Sequence, residues 1–182
     1  MLTNVDGLSN LNIIGGTLGL YFNELLTNID GLSGLISVGN INISDNPVLA
    51  NINGLSGLTT IGGFVSIAYN DVLTNLDGLS ALTSVGSQLS IFINPQLSMC
   101  CALCALLQAD AIDDEVIGGP VQINDNAIGC DVAAILACMP CSDETVLPDI
   151  PTLSEWGLIM LGLITLIIGV ISIREQRVLR TI

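Results

Sequence analysis

Four ten-residue segments of this chain are near copies of one another. LTNVDGLSNL begins at Leu2, LTNIDGLSGL at Leu26, LANINGLSGL at Leu49 and LTNLDGLSAL at Leu73, at spacings of 24, 23 and 24 residues. Between them runs a second shared pattern of two alternating apolar positions and an asparagine: Leu18, Leu20 and Asn23; Ile41, Ile43 and Asn46; Val65, Ile67 and Asn70; Leu89, Ile91 and Asn94. It returns at Val121, Ile123 and Asn126. A repeat of this length cannot bury its apolar face alone, so successive copies must stack. Alternation over three residues predicts a short strand in each copy, with Leu18 and Leu20 inward and Gly19 and Tyr21 outward. The five asparagines then fall at one place in every copy, where their side chains can bond the backbone of the turn that follows the strand.

The segments between strands carry no ten-residue helical pattern. They hold Asp-Gly or Asn-Gly before Leu8, Leu32, Leu55 and Leu79, and the pairs Gly15-Gly16 and Gly62-Gly63, read as corners that use positive φ. The repeats of residues 2–140 resemble the receptor L-domain group of leucine-rich-type repeats. That resemblance implies a mainly β fold, a parallel β-solenoid of the right-handed β-helix kind. The expected organisation is repeats over 1–99, a Cys-rich capping region over 100–141, a linker over 142–149 and a C-terminal segment over 150–182. The chain starts midway through a repeat, so a longer precursor with an N-terminal export signal is expected.

Charge is distributed unevenly. The formal net charge is −14, histidine is absent, and the three basic residues are Arg174, Arg177 and Arg180. Residues 1–173 therefore present acids without one Lys or Arg, a surface that repels phosphate backbones, so nucleic acid is excluded as a partner. Recurring Asp6, Asp30 and Asp77 read as corner residues, and Asp113, Asp114 and Glu115 as a local acidic cluster without the alternating spacing of a Ca²⁺ loop. With no His, no Lys and no nucleophile motif, acid/base catalysis would rest on carboxylates alone, and the chain is read as not an enzyme, with no cofactor.

The six cysteines, Cys100, Cys101, Cys104, Cys130, Cys138 and Cys141, are confined to one block. Two Cys-x-x-Cys pairs raise zinc and thioredoxin-type alternatives. The long separation of the pairs, the even count and an exported setting favour disulfides, in any of fifteen connectivities. CCALCALLQADAI and CDVAAILAC read as short helices flanking the strand at Val121.

The C-terminal segment is different in kind. Trp156 to Ile173 contains no charge over eighteen residues, and as a helix it would reach roughly 27 Å, close to the ~30 Å hydrocarbon core of a bilayer. A single transmembrane helix is expected there, with Trp156 at the outer interface and the three arginines holding the C-terminus in the cytoplasm. In front of it stand Ile150, Pro151, Thr152, Leu153, Ser154, Glu155, Trp156 and Gly157. This octapeptide, followed by an apolar run and an arginine cluster, resembles the IPTL-CTERM sorting domain of exported bacterial proteins. The resemblance implies recognition by an exosortase-like membrane protease and transpeptidase, after passage through the export machinery. Pro151 bars a helix from extending upward and keeps the preceding residue extended, a form a protease can grip.

The function expected is a cell-surface or secreted protein for adhesion or recognition. Its outward strand positions Tyr21, Asn42, Ser44, Ser66, Ala68, Ser90, Phe92, Gln122 and Asn124 form a polar, uncharged face suited to a glycan or protein ligand. The alternative is a carbohydrate-active enzyme or binding module on a plain membrane anchor.

Overall fold

The computed structural model describes residues 2–110 and 116–138. Each repeat folds into a strand segment and a single 3₁₀ turn. The turns are Asp6–Leu8, Asp30–Leu32, Asn53–Leu55 and Asp77–Leu79. Their origin is a spacing of three. Leu26, Ile29, Leu32 and Leu35 are all fully buried, as are Leu49, Ile52, Leu55 and Leu58, and Leu73, Leu76 and Leu79. Residues three apart eclipse one another in a 3₁₀ conformation, so this spacing puts every apolar side chain of the segment on the core side. The turn is opened by an asparagine two residues before it. Oδ1 of Asn4, Asn28, Asn51 and Asn75 accepts from the N–H of Asp6, Asp30, Asn53 and Asp77 at 3.1–3.2 Å. The corner is thus built by Asn, and the expected corner residues Asp6, Asp30 and Asp77 keep exposed side chains.

The strands are β1 (Ile13–Tyr21), β2 (Ser37–Ser44), β3 (Thr60–Ile61), β4 (Val65–Ala68), β5 (Ser84–Val85), β6 (Leu89–Phe92) and β7 (Val121–Asn124). All pair parallel in one seven-stranded sheet. β3 and β4 both pair β2, because the third repeat's strand is interrupted between Ile61 and Val65; β5 and β6 are the two parts of the fourth. Leu18 lies opposite Ile41, Ile41 opposite Val65, Val65 opposite Leu89 and Leu89 opposite Val121, so the repeats stand side by side in chain order.

The expected architecture needs correction. Among the described residues there is one open parallel sheet; the far side of each repeat is a 3₁₀ turn instead of a further strand, so no closed β-solenoid of the right-handed β-helix kind is formed. The ten-residue back segment is committed to burying four side chains at a spacing of three, which an extended strand with its period of two cannot do. No described helix is long and apolar enough to cross a membrane. The run Trp156–Ile173, expected to supply such a helix, lies outside the described residues.

The asparagines bind the repeats together. Asn46, Asn70 and Asn94 are fully buried. Asn70 Nδ2 donates to the carbonyl of Ile43 in the preceding repeat (3.0 Å) and of Ala68 in its own (3.0 Å), while its Oδ1 accepts the backbone N–H of Asn46 (3.3 Å). Asn94 does the same with Ile67, Phe92 and Asn70, and Asn46 with Leu20, Ser44 and Asn23. Asn126 donates to Ile91 and accepts from Asn94 across a 32-residue separation. No buried side-chain polar atom among the described residues lacks a partner.

Positive φ falls at positions whose residue types do not signal it. The residue before each ladder asparagine, Phe22, Asp45, Tyr69, Ile93 and Asp125, sits at φ between 54° and 57°. For Phe, Tyr and Ile that conformation costs roughly 1–2 kcal/mol each. The glycines answer a different need from the corners expected: among the described glycines only Gly129 has positive φ. A Cβ on Gly54 would lie 1.9 Å from the carbonyl oxygen of Ile29, and one on Gly78 1.9 Å from that of Ile52, so these glycines are required by the close approach of neighbouring turns.

The repeat also continues further than expected. Leu97, Cys100, Leu103 and Leu106 are buried at the same spacing of three, around a 3₁₀ turn at Cys101–Leu103. Cys100 occupies the place of Leu76, and the repeat extends into the cysteine block instead of stopping at Asn94. Helix α1 (Cys104–Asp110) follows, and α2 (Val132–Leu136) comes after β7, its N-terminus capped by Asp131, whose side chain accepts from the N–H of Ala134.

Two substitutions separate close approach from turn conformation. Gly54→Ala is expected to cost about 3 kcal/mol or more by forcing neighbouring turns apart. Gly7→Ala, whose Cβ meets nothing within 4 Å, should stay within about 0.5 kcal/mol of the parent. Asn70→Ala strands two buried carbonyls and an N–H, for a loss of about 3–5 kcal/mol. Guanidinium unfolding of the three variants measures all of this.

Candidate functional site

Parallel register assembles the outward residues into two rows across the sheet. One runs Gly19, Asn42, Ser66, Ser90, Gln122; the other runs Tyr21, Ser44, Ala68, Phe92, Asn124. Neighbours within a row are about 4.8 Å apart, the spacing of hydrogen-bonded strands. The nine residues of the expected ligand face are therefore brought together, but they are not equally available. Tyr21, Gln122 and Asn124 are exposed, Asn42, Ser44, Ser66 and Phe92 half-buried, and Ser90 and Ala68 buried.

A shallow hollow opens in the middle of this face. Its floor is Ser66 and Ser90, its walls are Phe64, Phe92, Gln88 and Gln122, and Gln88 donates to the Ser90 hydroxyl. Phe64 and Gln88 escaped the sequence reading because both lie in the gaps that interrupt the third and fourth strands, outside the alternating pattern. Phe64 is positioned by its neighbour two strands away in chain order: its N–H donates to Oδ1 of Asn40 at 3.0 Å. The combination of two rings, hydroxyls and amides offers apolar contact and neutral hydrogen bonding without charge.

A second group of side chains projects from the strand ends, at the five positions of positive φ. Phe22, Tyr69 and Ile93 are exposed there. Tyr69 meets Phe92 edge-on with centroids 5.8 Å apart, and Phe22 meets Tyr21 at 6.0 Å. A groove across three repeats is lined by Phe22, Glu24, Asp45, Pro47, Tyr69 and Asp71. The row has a fixed place in the sequence, the residue preceding each ladder asparagine, but its residue types carry no signal of positive φ.

The cysteines form disulfides. Cys100 is bonded to Cys130 and Cys101 to Cys138, with Cα atoms 5.3 and 5.8 Å apart. Cys104 is disulfide-bonded as well, and no described cysteine is free. Cys141 lies outside the described residues. The Cys100 and Cys101 bonds run from the fifth 3₁₀ turn to Cys130 just before α2 and Cys138 just after it, which staples α2 onto the last repeats. No group of three or more His, Cys, Asp or Glu among the described residues could hold a metal ion. Asp113, Asp114 and Glu115 lie outside the described residues.

The same holds for Ile150, Pro151, Thr152, Leu153, Ser154, Glu155, Trp156 and Gly157, and for Arg174, Arg177 and Arg180. Here comparison with known families decides. Residues 150–173 match the family model described as the IPTL-CTERM motif. The chain carries a C-terminal sorting signal for export toward the cell surface. The motif implies processing by an exosortase-type system. The match does not extend to the repeats, so the resemblance of residues 2–140 to receptor L-domains gains no support from it. No curated protein and no solved structure matches the chain.

Export sets the redox compartment, and the cysteines supply the test. The intact mass of the non-reduced exported protein is expected to fall about six hydrogens below that of the reduced chain. Peptide mapping should recover the pairs Cys100–Cys130 and Cys101–Cys138. Stoichiometric zinc in the purified protein would contradict this.

Proposed function

We propose that this chain is a non-enzymatic recognition or adhesion protein, exported and displayed at the cell surface or released from it, whose C-terminal signal is cut by an exosortase-like protease. The match over residues 150–173 carries the reading. The apolar run Trp156–Ile173 holds the protein at the membrane as an intermediate, with the repeats outside and Arg174, Arg177 and Arg180 on the cytoplasmic side. Cutting near the octapeptide then releases or transfers the folded part. Support for recognition comes from the outward face, where register sets uncharged polar side chains in two rows beside Tyr21, Phe64 and Phe92. A glycan or protein ligand suits that face.

One tag in the 142–149 spacer and another after Arg180, followed through membrane and surface fractions, test the sorting. In parent cells the tags should separate. Pro151→Ala with Thr152→Ala should leave membrane insertion intact and trap the full-length protein, because neither residue lies in the apolar run. Replacing the three arginines by Glu should instead reduce retention and disturb orientation before any cut. Both tags remaining on one polypeptide at the surface, unaffected by the Pro151/Thr152 change, would show a plain anchor. Polysaccharides incubated with the purified protein should release no reducing ends, which separates this reading from a carbohydrate-active enzyme.

A further inference from the structure

The fold demands positive φ before each ladder asparagine, but it does not demand the side chains that the strand-end groove places there. Bulky Phe22 and Tyr69 occupy a left-handed conformation that glycine or asparagine would adopt with less strain. Both rings are exposed, Phe22 at 71% and Tyr69 at 45%. Each ring is accompanied by a carboxylate two residues later, Glu24 and Asp71, while the repeat between them inverts the arrangement, with Asp45 at the strained position and Pro47 two residues on. Ile93 bears the same strain outside the groove, so it is the pairing of exposed, strained rings with carboxylates that marks a site where those side chains do something else. We propose that this groove, lined by Phe22, Glu24, Asp45, Pro47, Tyr69 and Asp71, binds a neutral, unbranched glycan chain.

The chemistry selects the ligand class. Phe22 and Tyr69 stand two repeats apart, about 10 Å at the spacing of parallel strands, so two rings can each receive one sugar face along an extended chain. Aromatic rings contribute apolar contact to the C–H faces of sugars, and carboxylates accept hydrogen bonds from hydroxyl groups. The charged groups of the groove are all acids, and residues 1–173 contain no Lys or Arg, so anionic glycans are repelled. The site rests on the recognition reading above for its biological setting alone. Binding is measured on purified protein, so its outcome is independent of whether the sorting signal is cut.

The test is isothermal titration of the purified full chain, disulfides intact, with cellohexaose and chitohexaose, using heparin as the polyanionic control. At least one neutral hexaose should bind and heparin should not. Phe22→Asn and Tyr69→Asn remove a ring and relieve the backbone, so each should weaken binding at least ten-fold while Tm stays level or rises. Ile93→Asn relieves the same strain outside the groove and should raise Tm without affecting binding. Tyr69→Phe keeps the ring and should retain affinity, which guards against misreading a variant that folds poorly. Failure of both hexaoses to bind, binding of heparin instead, or unchanged affinity in the Phe22 and Tyr69 variants would overturn the proposal. So would self-association of the parent that the same two substitutions abolish, since it would make a second copy the occupant.

Discussion

A single buried amide in each repeat determines how the next one can be placed. Asn46, Asn70 and Asn94 each donate backward to a strand carbonyl of the preceding repeat and accept the backbone N–H of the preceding asparagine. A shift of register by one residue would strand a buried amide together with the carbonyls it serves, a penalty several times that of a misplaced aliphatic contact. The aliphatic core supplies cohesion, but Leu, Ile and Val exchange places in it without large cost. It is the amide column that makes the alignment of strands unique, and with it the two rows of side chains on the outward face.

The same column accounts for the backbone next to it. To bring Nδ2 and Oδ1 to their partners, the chain reverses direction at the residue before each asparagine, and in all five cases it does so through positive φ. Glycine, the residue best suited to that conformation, stands at none of these positions. It is concentrated instead where turns pass closely over one another, as at Gly31, Gly54 and Gly78. Conformational freedom and lack of bulk are two separate properties of glycine, and this fold draws almost entirely on the second.

That division explains what could be read from the sequence. The strands, their parallel order and the asparagine column follow from a period of 23 or 24 residues and from alternation at positions such as Leu18 and Leu20, both visible in the letters. The 3₁₀ back of each repeat was equally present, as Leu26, Ile29, Leu32 and Leu35, yet a spacing of three is easily passed over beside the stronger signal of two. The expectation of a closed β-helix came from the resemblance to receptor L-domains, and the spacing of three that argues against it went unused. The left-handed positions were hidden for another reason: Phe22, Tyr69 and Ile93 are residues that local sterics steer away from positive φ, so no local rule places them there. Cys100 concealed a further repeat because it substitutes for a leucine while also bonding to Cys130. The sorting signal is the opposite case, a short linear motif legible without any fold.

The position of the second disulfide has a mechanical consequence. Tension that arrives at Cys138 passes through the bond to Cys101, 37 residues earlier, at the 3₁₀ turn of the fifth repeat. The intervening chain, including both short helices and β7, is a covalently closed loop that cannot be drawn out past that bond. Load enters the sheet directly at a repeat that is paired with its predecessor, and the weaker helical elements are bypassed instead of being drawn out first.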